Sequence, residues 1–136
     1  GGNRALIDSL KGGANFRTGR WQGYQDDVEA TVDLGKVQPI KTISVGFLQD
    51  IQSWIWLPKS LEIQVSNDGE SFRSLGVLSH KIPDNQYGSL TKELVSKKSD
   101  KARYVRIKAL NYGRCPKWHL GAGGQTWVFI DEISIE

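Results

Sequence analysis

Apolar and polar residues alternate along most of the chain, in short runs closed by turn-forming residues. Val28-Glu29-Ala30-Thr31-Val32-Asp33-Leu34 alternates cleanly and is expected to stop at Gly35. Ile43-Ser44-Val45-Gly46-Phe47 follows and runs into Leu48-Gln49-Asp50. Leu61-Glu62-Ile63-Gln64-Val65 leads into Ser66-Asn67-Asp68-Gly69, where Asp-Gly marks a hairpin turn. Further strands are expected over 72–78, 90–95, 104–109 and 127–135. A period of two sends successive side chains to opposite faces, so each run reads as a strand with one buried and one wet side. No stretch carries a sustained 3.6-residue apolar period behind a cap, and no helix is predicted. The fold class is therefore all-β, an antiparallel sandwich or jelly roll.

Three connecting segments are long and hold most of the unusual chemistry. The first, 7–24, contains Gly12-Gly13, Phe16 and Trp21. The second, 48–58, contains Trp54 and Trp56. The third, 111–126, contains Tyr112, Arg114, Cys115, Trp118, His119 and a Gly-Ala-Gly-Gly run. Long loops on a rigid β scaffold are where binding residues concentrate.

The 136 residues suit one domain, 1–136, and a chain this long needs neither a disulfide nor a metal merely to fold. No apolar run approaches the ~20 residues of a membrane span, so a transmembrane role is not expected. The opening residues lack the layout of a signal peptide, and Gly1-Gly2 reads as a cut linker or an added tail. The net charge is +3, from 18 Lys and Arg against 15 Asp and Glu, which is a small excess. Its visible cluster is Lys97, Lys98, Lys101, Arg103, Arg106 and Lys108. Alternation with Tyr104, Val105 and Ile107 makes this the wet face of a strand, and nucleic acid is not an expected partner. Cys115 is the one cysteine, so there is no internal disulfide. Five Trp with no Met is the anomaly, and each indole must serve the core, a ligand, or both.

The order of features resembles the discoidin family, also called the coagulation factor V/VIII type C domain, which overlaps the family 32 carbohydrate-binding modules. The resemblance is carried by Ala5-Leu6-Ile7-Asp8, Trp21, Val32-Asp33-Leu34-Gly35, Ile40-Lys41-Thr42-Ile43, and Leu61 through Gly69. It continues through Ala102-Arg103-Tyr104-Val105-Arg106-Ile107 and Asp131-Glu132-Ile133, and so covers nearly the whole chain. A narrower resemblance is to discoidin modules appended to bacterial family 20 glycoside hydrolases, the β-N-acetylhexosaminidases or chitobiases. It rests on Gly12-Gly13-Ala14-Asn15-Phe16, Trp21-Gln22-Gly23, Gly46-Phe47-Leu48-Gln49-Asp50 with Trp54-Ile55, and Cys115-Pro116-Lys117-Trp118-His119 before Gly121-Ala122-Gly123. The resemblance implies a jelly roll of about eight strands whose loops at one end bind a sugar. It also implies a monomeric module cut from a larger exported bacterial enzyme, with that enzyme's catalytic domain as its partner in cis. The implied ligand is a glycan ending in galactose or an N-acetylhexosamine.

A sugar offers one apolar C–H face and a rim of hydroxyls, so its binder wants a flat aromatic wall and a few planar polar groups. Trp54, set among Gln49, Asp50, Gln52 and Ser53, is the first candidate for the wall, with packing inside its loop as the alternative. Trp56 beside Leu57-Pro58 is assigned to core packing, Trp21 to the framework, and Trp127 to the core or the pocket floor. Tyr112, Arg114, Trp118 and His119 bring two aromatic rings, a guanidinium and an imidazole to the third loop. They are candidate ligand contacts, although Trp118 and His119 could instead brace that loop against Trp21 or Trp127. Gln22, Tyr24, Gln49 and Asp50 are secondary candidates.

The resemblance also implies a structural calcium held by Asp8 and Glu132 with backbone carbonyls of the first loop. Oxygen donors of this kind suit Ca²⁺. The chain departs from the family in having Ser9-Leu10-Lys11-Gly12-Gly13 where many members carry a further ligand. Catalysis by the domain itself is not expected. Cys115 and His119 lie on one loop with no third group to hold a base, and Asp26-Asp27 and Asp131-Glu132 would face opposite ways on a strand. Two other roles remain open on sequence alone. One is a structural domain packed on its catalytic partner, and the other is a phospholipid-binding module using Trp54-Ile55-Trp56-Leu57 as an apolar spike, with membrane binding the less expected.

Overall fold

A computed structural model describes the backbone of residues 3–8, 16–18 and 22–136, and side chains from Gly23 onward. Trp21, Gly12-Gly13 and residues 9–15 lie outside the described residues, as do the side chains of Asp8, Phe16 and Gln22. Ten strands are described: β1 (Asn3–Asp8), β2 (Phe16–Thr18), β3 (Gln22–Tyr24), β4 (Val28–Ile40), β5 (Ile43–Gln49), β6 (Ser60–Ser66), β7 (Arg73–Leu78), β8 (Leu90–Ser96), β9 (Asp100–Leu110) and β10 (Val128–Ile135). Sheet A runs β1-β4-β9-β6-β7, and sheet B runs β2-β10-β5-β8 with β3 also on β10. Pairing is antiparallel except where β1 lies parallel to β4. Eight strands of six residues or more form the body of this jelly-roll sandwich, and the two three-residue strands β2 and β3 line β10.

The alternation read from sequence is the burial pattern. Val28, Ala30, Val32 and Leu34 of β4 face inward with Leu61, Ile63 and Val65 of β6 and Val105, Ile107 and Ala109 of β9. Val45 and Phe47 of β5 and Ile130, Ile133 and Ile135 of β10 meet them from sheet B, forming one continuous apolar core. Each fully buried aliphatic or aromatic side chain there contributes about 1.5–3 kcal/mol.

Of the basic cluster, Arg103, Arg106 and Lys108 lie on β9 of sheet A in ion pairs. Arg103 grips both carboxylate oxygens of Asp33 at 2.8 and 2.9 Å. Arg106 lies 3.8 Å over the Phe72 ring and donates to Thr31. Arg106 and Lys108 both approach Glu29, at 3.8 and 3.7 Å. At the β6–β7 hairpin, Asp68 accepts the backbone N–H groups of Glu70 and Ser71, which hold its carboxyl down at about 2.

Three local expectations are corrected. β4 does not stop at Gly35; a bulge between Asp33 and Gln38, with Gly35 at φ 88°, lets it continue to Ile40. The segment read as the first long loop holds β2 and β3. The second holds a single 3-10 turn, Ile51–Ser53. Two carboxylate pairs also sit differently from expectation. Asp26 and Asp27 precede β4, where Asp27 accepts the Asn111 N–H. Asp131 and Glu132 occupy a bulge in β10, between Ile130 opposite Phe47 and Ile133 opposite Val45, so strict alternation fails there.

β4 begins and β9 ends side by side, with Val28 opposite Ala109; β6 begins opposite Leu110, and β7 ends opposite Leu61. The connections 25–27, 50–59, 79–89 and 111–127 therefore leave the sandwich at one end.

Candidate functional site

The 50–59 connection is pinched at its base. Asp50 and Ile55 exchange both backbone hydrogen bonds at 3.0 Å, which forces a tight reversal between them. Trp54 absorbs the reversal with a left-handed backbone, φ 66° and ψ 27°, at a cost of about 1–2 kcal/mol for a residue other than glycine. Its indole lies against Gly121 and Gly124 of the 111–127 connection. A Cβ at Gly121 would come within 2.4 Å of Trp54 Cζ2, and one at Gly124 within 2.5 Å of Cζ3. The glycine run is thus the seat for this ring. The seat is made rigid by Cys115 N–H to Gly124 O at 2.7 Å and Gly123 N–H to Cys115 O at 3.0 Å.

Beneath this surface sits a second apolar cluster, Ile51, Trp56 and Cys115, with Tyr112 packed on it. Tyr112 stacks on Trp56 with centroids 5.1 Å apart and 15° between planes. His119 is the buried hub. It presents its ring edge-on to Trp56 at 5.0 Å, Trp118 at 6.0 Å and Trp54 at 6.2 Å. Its Nδ1 accepts the Gly121 N–H at 2.9 Å, so Nε2 carries the proton and donates to the Ile51 carbonyl.

The same cluster fastens the 79–89 connection. Trp56 Nε1–H donates to the Asp84 carbonyl at 2.8 Å, and Gln49 Nε2 donates to the Pro83 carbonyl at 3.3 Å. The Tyr112 hydroxyl donates to Asp84 Oδ2 at 2.7 Å. Burial first, and then the bond and charge of Asp84, push that hydroxyl up to about 12. The connection in turn presents Tyr87, whose ring lies 6.3 Å from Trp118 at 60°.

The expected site residues divide by this geometry. Trp54, Trp118 and Arg114 reach solvent, the two indoles at 38% and 47% exposure, and Arg114 spends one N–H on the Gly123 carbonyl. Asp50 is half-buried and accepts from the Ser53 hydroxyl. Tyr112 keeps a half-buried ring, but its hydroxyl is committed to Asp84. Tyr24, on β3, packs against the sandwich core, and burial raises its hydroxyl. Two assignments change. His119 is a brace rather than a ligand contact, because both ring nitrogens are engaged inside the protein. Gln49 is fully buried, with its amide donating to Pro83 and its oxygen accepting the Leu57 N–H, so it ties loops together.

Trp56 is buried as expected, whereas Trp127 is only half-buried, 6.2 Å from Phe129, and its backbone bonds to Trp54 and Trp56. Ile55, Trp56 and Leu57 are all buried, so Trp54-Ile55-Trp56-Leu57 forms no apolar spike. Cys115 is buried and its thiol is pushed up by that burial, which leaves no activated Cys-His pair. Tyr87 and Asp84 were not anticipated. The available signal was an aromatic inside the turn-rich stretch Pro83-Asp84-Asn85-Gln86-Tyr87-Gly88.

Two other features bear on ligands. A concavity of about 470 Å³ lies on the outer face of sheet A, lined by Asp27, Glu29, Glu62, Lys108, Val77 and Leu110 among others. Its lining includes no aromatic ring, whereas the loop end exposes Trp54, Tyr87 and Trp118. On β10, Glu132 Oε1 is buried, which suits a hard cation held by oxygen. Asp8 ends β1, and its side chain lies outside the described residues. Among the described residues, no three His, Cys, Asp or Glu side chains converge as a metal site.

The family model described as F5/8 type C domain matches residues 1–133. None of the curated proteins matches the chain. Among solved structures, CBM32-3 from a family 31 glycoside hydrolase of Clostridium perfringens superposes with a TM-score of 0.51 at 16% identity, over 89% of this chain and 73% of that one. A two-domain protein of unknown function from Bacteroides fragilis gives 0.52 at 16% identity, over 95% of this chain and 36% of that one. CpGH89CBM32-6 of Clostridium perfringens gives 0.49 at 18% identity, over 96% and 81%.

Proposed function

From the premise that this chain belongs to the F5/8 type C domain family, we propose that it is a non-catalytic carbohydrate-binding module. The observation that carries the reading is the pair of exposed indoles, Trp54 and Trp118, set edge-on around the buried His119 hub. An exposed ring held rigid offers a sugar's C–H face a surface that costs little entropy to present. Arg114, exposed on the same connection as Trp118, donates to the Gly123 carbonyl and retains further donors for hydroxyls. In the chain by itself these two rings are not buried, which leaves them accessible to a ligand.

The module would serve an attached glycoside hydrolase, of the β-N-acetylhexosaminidase or chitobiase type, in an exported bacterial protein. CBM32-3 comes from a glycoside hydrolase, which supports an attachment of this kind. Tethering raises local substrate concentration without any chemistry in the module itself. A shallow site grips few hydroxyls, each of which exchanges with water, so binding by one monomeric module would be weak. A glycan array probed with the 136-residue chain tests this. Binding to glycans ending in galactose or an N-acetylhexosamine is the expected result, and no signal on any glycan contradicts it.

Calcium at Asp8 and Glu132 is part of the proposal, as a structural tie between β1 and β10. The buried Glu132 oxygen supports it. Calcium titration after EDTA should raise the melting temperature, and an unchanged temperature would remove calcium from the account.

A further inference from the structure

Trp118 and Tyr87 are exposed at 47% and 53%, and neither belongs to a buried cluster. They come from different connections, 111–127 and 79–89, yet their rings meet with centroids 6.3 Å apart. That meeting is built. The loop carrying Tyr87 is fixed at Pro83 by Gln49 and at Asp84 by Trp56 and Tyr112, all three from beneath the site. Trp118 is set edge-on against His119, whose ring nitrogens are fixed by Ile51 and Gly121. A large aromatic held in water by this much buried structure stabilises the fold little by its own burial. It is a contact prepared in advance for something else.

We infer that Tyr87 is a specificity-determining residue, and that Trp118 and Tyr87 together form an aromatic strip for a second sugar unit, so that the module selects oligosaccharides over monosaccharides. This rests on the carbohydrate-binding reading. The two rings are inclined at 60°, so one flat pyranose face cannot lie against both. One unit packs on Trp118, and a linked unit, turned by the glycosidic bond, packs on Tyr87. Leu120, fully exposed two residues beyond Trp118, adds further apolar surface to the connection that carries that ring.

The test is calorimetric titration of wild type, Tyr87→Ala and Tyr87→Phe with galactose, lactose, N-acetylglucosamine and N,N′-diacetylchitobiose. Wild type should bind at least one disaccharide about tenfold more tightly than its monosaccharide. Tyr87→Ala should remove that margin, bringing disaccharide affinity down to that of the monosaccharide, while Tyr87→Phe should keep it. Equal affinity for the two lengths, or a Tyr87→Ala variant that retains the margin, overturns the inference and leaves the carbohydrate reading standing. Failure of wild type to bind any of the four sugars overturns the inference, and the glycan array then decides the carbohydrate reading separately.

Discussion

The sandwich core and the loop-end cluster are both buried, but they are held by different physics. The core is a broad, mostly aliphatic set whose buried members among the described residues lie, Leu57 apart, on six strands, joined by non-directional apolar contact, with many neighbours sharing each load. The loop end has a small apolar cluster, Ile51, Trp56 and Cys115, and depends on ring geometry and on single hydrogen bonds to carbonyls. A core of the first kind tolerates small changes of volume. A cluster of the second kind has keystones, and losing one releases everything it holds.

The sharpest way to separate the two regions is to remove Trp56. Trp56→Ala should cost about 3–5 kcal/mol, since it deletes a buried indole, the Tyr112 stack and the bond to Asp84. Hydrogen exchange should then accelerate first at the amides of 79–89 and 111–127, while those of β4, β6 and β9 keep their protection. Ile63→Ala, in the core, should cost about 2–5 kcal/mol and lower protection throughout. Uniform loss in both variants would make the two regions a single cooperative unit.

A smaller effect is expected from Gly121→Ala. The new methyl would overlap the Trp54 indole, so the ring must leave its seat, at about 1–3 kcal/mol. Glycan affinity should fall and the tryptophan emission should shift to the red, with the far-ultraviolet signature of the sandwich intact. Unchanged emission would mean that the ring has room the structure does not give it.

The smallest effect belongs to Tyr112→Phe, which removes only the bond to Asp84, at about 1 kcal/mol. In the wild type the tyrosine hydroxyl is raised from its ordinary value of 10 to about 12, because the fold favours its neutral form. That contribution is complete below pH 10 and is lost as pH rises through about 12. An alkaline transition in loop protection should therefore occur in wild type and be absent from the variant.

The same contrast explains what could be read from sequence. The core was legible because period-two alternation in β4, β6 and β9 maps directly onto inside and outside. It failed where a bulge breaks the count, past Gly35 and at Asp131-Glu132, and it gave no sign of the short strands β2 and β3. At the loop end, residue types showed that aromatic chemistry gathers there, and Trp54 and Trp118 do reach the surface. Which polar groups stay available was not legible. Gln49 and His119 are consumed by carbonyls of Pro83 and Ile51, 34 and 68 residues away, and no local pattern encodes such partners. Tyr87 escaped notice for the same reason, since its neighbour Trp118 lies in another connection.

The account turns on the exposed indoles being the binding surface. Its most direct measurement is titration of wild type and Trp118→Ala with the strongest glycan found on the array, alongside their melting curves. Trp118 is half exposed, so the variant should melt within a few degrees of wild type while its binding falls below detection. A Trp118→Ala protein that folds equally well and binds that glycan with wild-type affinity would contradict the account.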